Sequence, residues 1–250
     1  MVNIITSVLA STVRAWRGTS AIVRDKQPDR WLILYDMEGC PYCRVVREVL
    51  TELDLNVLIK PCPKKGAGYW DELSQLNSKK QVPYLHDENT GKSIPGSEQI
   101  VEYLYANYGM DSDSPVTQRK PLVALSKLAT LLRSMKGMRG IKAHRPEQPL
   151  ILYSFESSPF SRPVRERLTE LGLSYRLYNA GKQQLADQGL GSFRPVIGRY
   201  RPLPGTNRAI LMEMMGKVQF PFLEDPNTGK KIFESKIIIE YLNRTYQLPR

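Results

Sequence analysis

Cys40 and Cys43 enclose Pro41 and Tyr42 at the point where a hydrophobic run, Trp31-Leu32-Ile33-Leu34-Tyr35, gives way to an amphipathic stretch. A thiolate at a helix N-terminus is stabilised by unpaired backbone N–H groups and the positive end of the helix dipole. Its pKa falls and it becomes a nucleophile at neutral pH. The short spacing then lets the second thiol attack a mixed disulfide formed on the first. Pro41 suits the first helical turn, where its missing N–H costs nothing. The chemistry such a pair can do is thiol–disulfide exchange.

The elements that must hold this pair occur twice. Gly39 to Leu55 aligns without gaps to Ser157 to Leu173, so Ser158 and Ser161 stand where the two cysteines do. Gln81-Val82-Pro83-Tyr84-Leu85 matches Gln219-Phe220-Pro221-Phe222-Leu223, each followed by an Asn-Thr-Gly-Lys turn, and Ile100 to Leu104 matches Ile238 to Leu242. Such self-similarity marks a duplicated unit. The repeat begins upstream of the strands, because Leu9 to Gly18 resembles Leu128 to Gly137. Each of these segments predicts an amphipathic helix, with Ile5, Val8, Leu9, Thr12, Val13 and Trp16 on one face and Leu122, Leu125, Leu128, Ala129, Leu132 and Met135 on the other helix's face. A packing helix that covers a domain or joins the two is expected, the rival being a basic helix lying on a membrane. Residues 1–24 have the composition of a transit peptide, but their recurrence in mid-chain argues for structure.

Within the first copy the pattern predicts a strand over 31–35, a helix over 41–53, a strand over 56–60, a helix over 69–77, a hairpin of 83–86 with 92–95, and a last helix N-capped by Ser97. The order is βαβαββα. The second copy repeats it with a longer middle section, 183–217, rich in Gly and Pro and expected to be largely loop. The fold class is therefore α/β, two tandem thioredoxin-like domains each preceded by an amphipathic helix, divided at 1–112 and 113–250.

The 250-residue chain has a formal net charge of +11, which favours anionic partners such as nucleic acid, acidic lipid headgroups or a small anion. Its three cysteines do not make a secreted disulfide framework and read as reactive, cytoplasmic usage. Beyond the CxxC, only Cys62, His86 and His144 could complete a zinc site, and no metal is expected. Cys62 reads as a small hydrophobe, with a third redox thiol as the alternative.

With CPYC after a strand, Val82-Pro83 about forty residues on and Ser97-Glu98 opening the last helix, the first copy resembles glutaredoxins and the N-terminal domain of glutathione transferases. The resemblance implies cis peptide bonds before Pro83 and Pro221. It makes Cys40 the nucleophile and Cys43 the resolving thiol, with glutathione as co-substrate. It pairs the Val82 backbone with the tripeptide, directs the γ-glutamyl carboxylate to the helix N-terminus at Ser97 and Glu98, and sets Tyr42 beside the peptide. Lys60, Lys64 and Lys65 are candidates for its glycine carboxylate. Two departures stand out: Glu38 and Gly39 occupy the stretch where many glutaredoxins carry a lysine, making the site less electropositive, and Gly96-Ser97 replaces the transferases' Glu-Ser.

The second copy keeps Glu234-Ser235, and Ser158-Pro159-Phe160-Ser161 resembles the motif of serine-type transferases. There the equivalent site would comprise Ser158, Phe220, Pro221, Glu234 and Ser235, and the rival is a degenerate copy kept for packing. The expected function is a glutathione-linked thiol-disulfide oxidoreductase acting on a disulfide or glutathionylated protein. The alternatives are a glutathione transferase using Ser158 or Cys40 on a small electrophile, and a non-enzymatic tandem scaffold. No nucleic acid partner is expected, and peripheral membrane contact is a minor alternative.

Overall fold

In the computed structural model, residues 2–66, 68–109, 123–189 and 199–249 are described. After helix α1 (Val2–Val13), the first copy runs β1 (Leu32–Asp36), α2 (Pro41–Glu52), β2 (Val57–Pro61), α3 (Trp70–Leu76), β3 (Tyr84–Asp87), β4 (Lys92–Pro95) and α4 (Ser97–Tyr108). After α5 (Val123–Leu132), the second runs β5 (Leu150–Ser154), α6 (Arg162–Glu170), β6 (Tyr175–Asn179), α7 (Asn207–Met215), β7 (Phe222–Asp225), β8 (Lys230–Phe233) and α8 (Ser235–Tyr246). Each copy thus has the βαβαββα order. The boundary at 112/113 and part of the long middle section, including Gly191, Arg194, Pro195 and Gly198, lie outside the described residues. So does Leu122.

The two copies share one eight-stranded sheet, ordered β4-β3-β1-β2-β6-β5-β7-β8. At its centre β2 pairs antiparallel with β6, Leu58 opposite Arg176, and the elements on either side are related by an approximate twofold. α2 forms because Val45, Val46, Val49 and Leu50 recur at helical spacing and all are buried; each such side chain contributes about 1.5–3 kcal/mol. The Asn-Thr-Gly turns are latched in the same way in both halves, with the Tyr103 hydroxyl donating to Asp87 and that of Tyr241 to Asp225, each at 2.6 Å. Among the described residues no helix is long and apolar enough to cross a membrane.

Two expectations are corrected. Ser97 is the first residue of α4, not its N-cap: Gly96 holds that place at φ 82°, and Glu234 holds it for α8 at φ 71°. The second correction concerns α1 and α5. Apart from Ala129, which is buried, the expected apolar faces do not turn into the core: Ile5, Leu9, Leu125, Leu128 and Met135 are exposed, while Ser7, Ala10, Ser11, Ser126 and Thr130 are buried. The small residues let α1 pack closely on α5, and the hydroxyls have a partner to satisfy. Arg44 Nη1 donates to Ser126 O at 2.7 Å, Ser126 Oγ at 3.0 Å and Thr130 Oγ1 at 3.0 Å. Arg162 donates to Ser7 O at 2.6 Å and Ser11 Oγ at 2.9 Å. Buried guanidinium groups need acceptors, so the polar stripe wins the interior.

These contacts reveal an exchange. Helix α5, which precedes the second copy, lies over the start of the first copy's α2, and α1 lies over the start of α6. The chain leaving each helix continues across the opposite site: Gly39 N–H donates to Gly137 O at 3.1 Å, and Ser157 N–H to Gly18 O at 3.2 Å.

Candidate functional site

Cys40 is the N-cap of α2, with Pro41 opening the helix. It is 8% exposed and packs with Met37, Cys43 and Met138, against which Trp70 and Val82 rest. The Cys43 thiol donates to the Cys40 sulfur, and the backbone N–H groups of Cys43 and Tyr42 also point at it. Against the opposing effect of burial, these contacts lower its pKa to about 7. Cys43 is fully buried, and desolvation together with that same hydrogen bond pushes it well above the usual thiol value. One thiol is thus poised to ionise first and its neighbour to remain protonated.

The Val82–Pro83 peptide is cis, as is Phe220–Pro221. Val82 reaches the cysteine cluster, and Pro83 O accepts from Gly96 N–H at 3.1 Å, drawing the start of α4 and Ser97 beside it. Tyr42 is 42% exposed, with the Lys127 ammonium 5.8 Å from its ring centre. Glu98 is exposed in the first turn of α4. Met37, Trp70 and Met138 were not anticipated. Met138 could have been found from the upstream repeat, which brings a second copy of the entry segment to the first site. Gly39 admits it, because a Cβ there would lie 2.4 Å from Met138 Cγ.

Cys62 belongs to a separate cluster with Ile33, Tyr35, Leu73 and Tyr84. Burial raises its pKa to about 12, so it behaves as a small hydrophobe. Lys60 pairs with Glu72 and lies over the Tyr35 and Tyr69 rings. Lys64 and Lys65 are exposed. The thiols are all free, and among the described residues no three His, Cys, Asp or Glu side chains gather to hold a metal.

Glu38 does not face the dithiol from solvent. It is buried, with Arg47 at 3.2 Å and Arg165 at 3.1 Å. Its counterpart Glu156 meets Arg47 at 3.0 Å and Arg165 at 3.1 Å, and Asp36 meets Arg47 at 2.7 Å. These charges, drawn from both halves, lock the sites together from beneath. Of this cluster, Asp36 acts on Cys40 by raising its pKa.

In the second half, a cavity of about 260 Å³ opens beside Ser158, and Phe220, Pro221, Glu234 and Ser235 also line it. All five residues expected there share one space. Ser161 donates to Ser158 Oγ from its backbone N–H at 3.2 Å and its hydroxyl at 2.9 Å. The oxygen is thereby occupied as an acceptor and the Ser158 proton is left to donate. Glu234 adopts a left-handed backbone that Gly96 reaches without cost. A non-glycine residue there costs about 1–3 kcal/mol. Its side chain accepts from Gln219 at the cavity edge.

Position by position, the two sites are not copies. Trp70 donates from Nε1 to Pro63 O at 2.8 Å; in the second half Arg208 donates from Nε to the equivalent Gly181 O at 3.0 Å. The guanidinium lies 4.9 Å from the Phe220 ring centre. Thr19 stands where the first site has Met138, and Phe155 where it has Met37. The dithiol is enclosed by apolar side chains, whereas the serine pair faces a cavity mixing aromatic and charged groups.

No curated protein matches the chain. The family described as glutathione S-transferase, N-terminal domain, matches it at residues 34–115 and again at 152–250, the two regions that the sheet joins at β2 and β6. Two copies of βαβαββα, each with a proline at the strand entry facing a helix start, account for both matches. The chain belongs to the glutathione S-transferase N-terminal domain family, whose unit it carries twice.

Proposed function

We propose that the first half, 1–112, is a glutathione-linked thiol-disulfide oxidoreductase. The observation that carries this reading is the placement of Cys40 at the N-cap of α2 with the buried Cys43 thiol donating to its sulfur, an arrangement that lowers the Cys40 pKa to about 7 and raises that of Cys43. The Cys40 thiolate attacks one sulfur of a protein disulfide or of a glutathionylated cysteine. A new S–S bond forms to Cys40 as the old one breaks, and the departing thiolate takes a proton from solvent. The Cys43 thiol then loses its proton and attacks Cys40, or a glutathione thiolate attacks in its place. Two glutathione molecules return an internal disulfide to the dithiol and leave as glutathione disulfide. Val82 and Pro83 would bind the extended tripeptide backbone, Ser97 and Glu98 at the start of α4 its γ-glutamyl end, and Tyr42 its flank. Three free thiols suit a reducing compartment such as the cytoplasm.

The test is reduction of a mixed disulfide by glutathione. Cys40→Ser should abolish turnover; Cys43→Ser should keep activity on glutathionylated substrates and lose it on those that need an internal disulfide. Full activity of Cys40→Ser would remove the proposal.

A second reading concerns the second half, 113–250, and is favoured by the cavity around Ser158. Its donating hydroxyl suits a glutathione thiolate held without covalent exchange, with Phe220, Pro221, Glu234 and Ser235 along the peptide. Conjugation of a small electrophile that falls in Ser158→Ala and survives Cys40→Ser would support it; the reverse pattern would oppose it.

A further inference from the structure

Six of the thirteen large apolar side chains exposed among the described residues lie on α1, on α5 or in the turn after α5: Ile5, Leu9, Leu125, Leu128, Leu131 and Met135. Apolar residues exposed singly are ordinary, whereas a gathered set marks a contact surface. These are gathered by the packing of the two helices. α1 and α5 lie against each other, α5 on α2 and α1 on α6. Their hydroxyl-bearing sides face Arg44 of α2 and Arg162 of α6, so both leucine-bearing sides turn away from the body of the protein. The buried guanidinium groups thereby leave one apolar face, built from both copies, on the outside.

Charge selects the occupant of that face. Residues 1–24 and 114–146 contain eleven Lys and Arg and no Asp or Glu, which matches the net charge of +11 and leaves the remainder of the chain balanced. Arg14, Arg17 and Arg133 pair with Glu48, Glu52 and Glu166. Lys127, between Leu125 and Leu128, and Lys136, next to Met135, are exposed. A surface of leucines and lysines with no carboxylate on either helix suits an anionic bilayer, where apolar side chains enter the headgroup boundary and each cation meets lipid phosphate. A second copy would instead press two acid-free faces of like charge together. We infer that the paired α1 and α5 helices dock the protein on an anionic lipid surface, with Leu9, Leu128 and Leu131 entering the headgroup region and Lys127 and Lys136 meeting phosphates. The inference makes no use of the dithiol or of Ser158.

The experiment is co-sedimentation of the full chain with phosphatidylcholine vesicles and with vesicles in which about one-third of the lipid is phosphatidylglycerol. The anionic vesicles should bind about tenfold or more tightly than the neutral ones, and binding should weaken severalfold as salt rises from roughly 0.05 to 0.5 M. Leu9→Gln, Leu128→Gln and Leu131→Gln combined should lower binding to the anionic vesicles about tenfold or more. Circular dichroism should be unchanged, because all three side chains are exposed and Gln is a good helix former. Ile237→Gln, at a comparably exposed position on α8, should leave binding within about twofold. No binding to anionic vesicles, or undiminished binding by the triple variant, would overturn the inference. Sedimentation velocity without lipid offers a further result against it: a dimer that dissociates in the triple variant would show that a second copy covers the face.

Discussion

Arg47, on the helix that follows the dithiol, donates from Nε to Glu156 Oε2 at 3.0 Å, joining the dithiol half to the loop that precedes its serine counterpart. Arg165 reciprocates with Glu38 at 3.1 Å. Burial alone would raise the Glu156 carboxyl, but the adjoining Arg165, Arg47 and Arg162 outweigh it and hold the pKa at about 2. Removing one charge from such a buried set leaves guanidinium groups without compensation. Glu156→Gln should therefore destabilise the protein by about 3–5 kcal/mol at neutral pH, read from urea unfolding monitored by circular dichroism. A loss below about 1 kcal/mol would mean that Asp36 and Glu38 suffice to hold both arginines.

Cys40 titrates near neutrality, so its reactivity should too. Alkylation of the reduced protein by iodoacetamide should rise sigmoidally with pH, with a midpoint at about 7, well below the ~8.5 of an ordinary thiol. Below that midpoint the thiol is protonated and slow; above it the thiolate reacts. Cys43 and Cys62 should remain unmodified in the folded protein, because both are buried and raised. Peptide mapping after partial alkylation distinguishes the three, and a midpoint near 8.5 at Cys40 would contradict the assigned environment.

The dithiol could be read from a few adjacent residues because its chemistry is local: a strand, two thiols, a proline and a helix start follow one another in the chain. The repeat likewise exposed the βαβαββα order. What escaped was set by distant partners. Helical periodicity shows which residues of α1 and α5 share a face, but not which face is buried. That choice follows from Arg44 and Arg162, whose buried guanidinium groups require Ser126, Thr130, Ser7 and Ser11 as acceptors. Trp16 and Arg208 reach the second site from segments far from Ser158, and no spacing near the serine pair announces them. Ser97 was misplaced by one residue because Gly96 can take the left-handed N-cap conformation that a capping serine would not.

Asp54, at the end of α2, has φ 51° and lies buried, its carboxylate accepting from Gln183 Nε2 at 3.0 Å. Burial raises its pKa to about 7, against the lowering effects of Gln183, Arg24 and Arg208. A carboxyl raised in the folded state favours folding below its unfolded value of ~3.9 and loses that contribution as pH rises through about 7. Asn tolerates the left-handed backbone and still accepts from Gln183. Asp54→Asn should thus be more stable than the wild type at pH 8, on the order of 1–3 kcal/mol, with the difference closing at pH 4. Thermal melts at the two pH values decide it, and a variant less stable at pH 8 would show that the carboxylate is net favourable where it sits.

Met138 offers the sharpest probe of the exchanged segments, because it belongs to the second copy's entry segment yet packs on Cys40. Burial, ahead of the Asp36 charge, is the larger effect that opposes Cys40 ionisation. Met138→Ala should relieve it, lowering the midpoint of alkylation below that of the wild type and raising the rate at fixed pH severalfold. The lost packing should cost about 2 kcal/mol of stability. The two readouts separate the causes. A merely structural role would lower stability and leave the Cys40 midpoint in place, whereas a shielding role moves both. Met135→Ala, three residues earlier and half exposed, should move neither. An unchanged midpoint in Met138→Ala would mean that the opposite half does not tune the dithiol, and that the exchange of segments serves only to join the two copies.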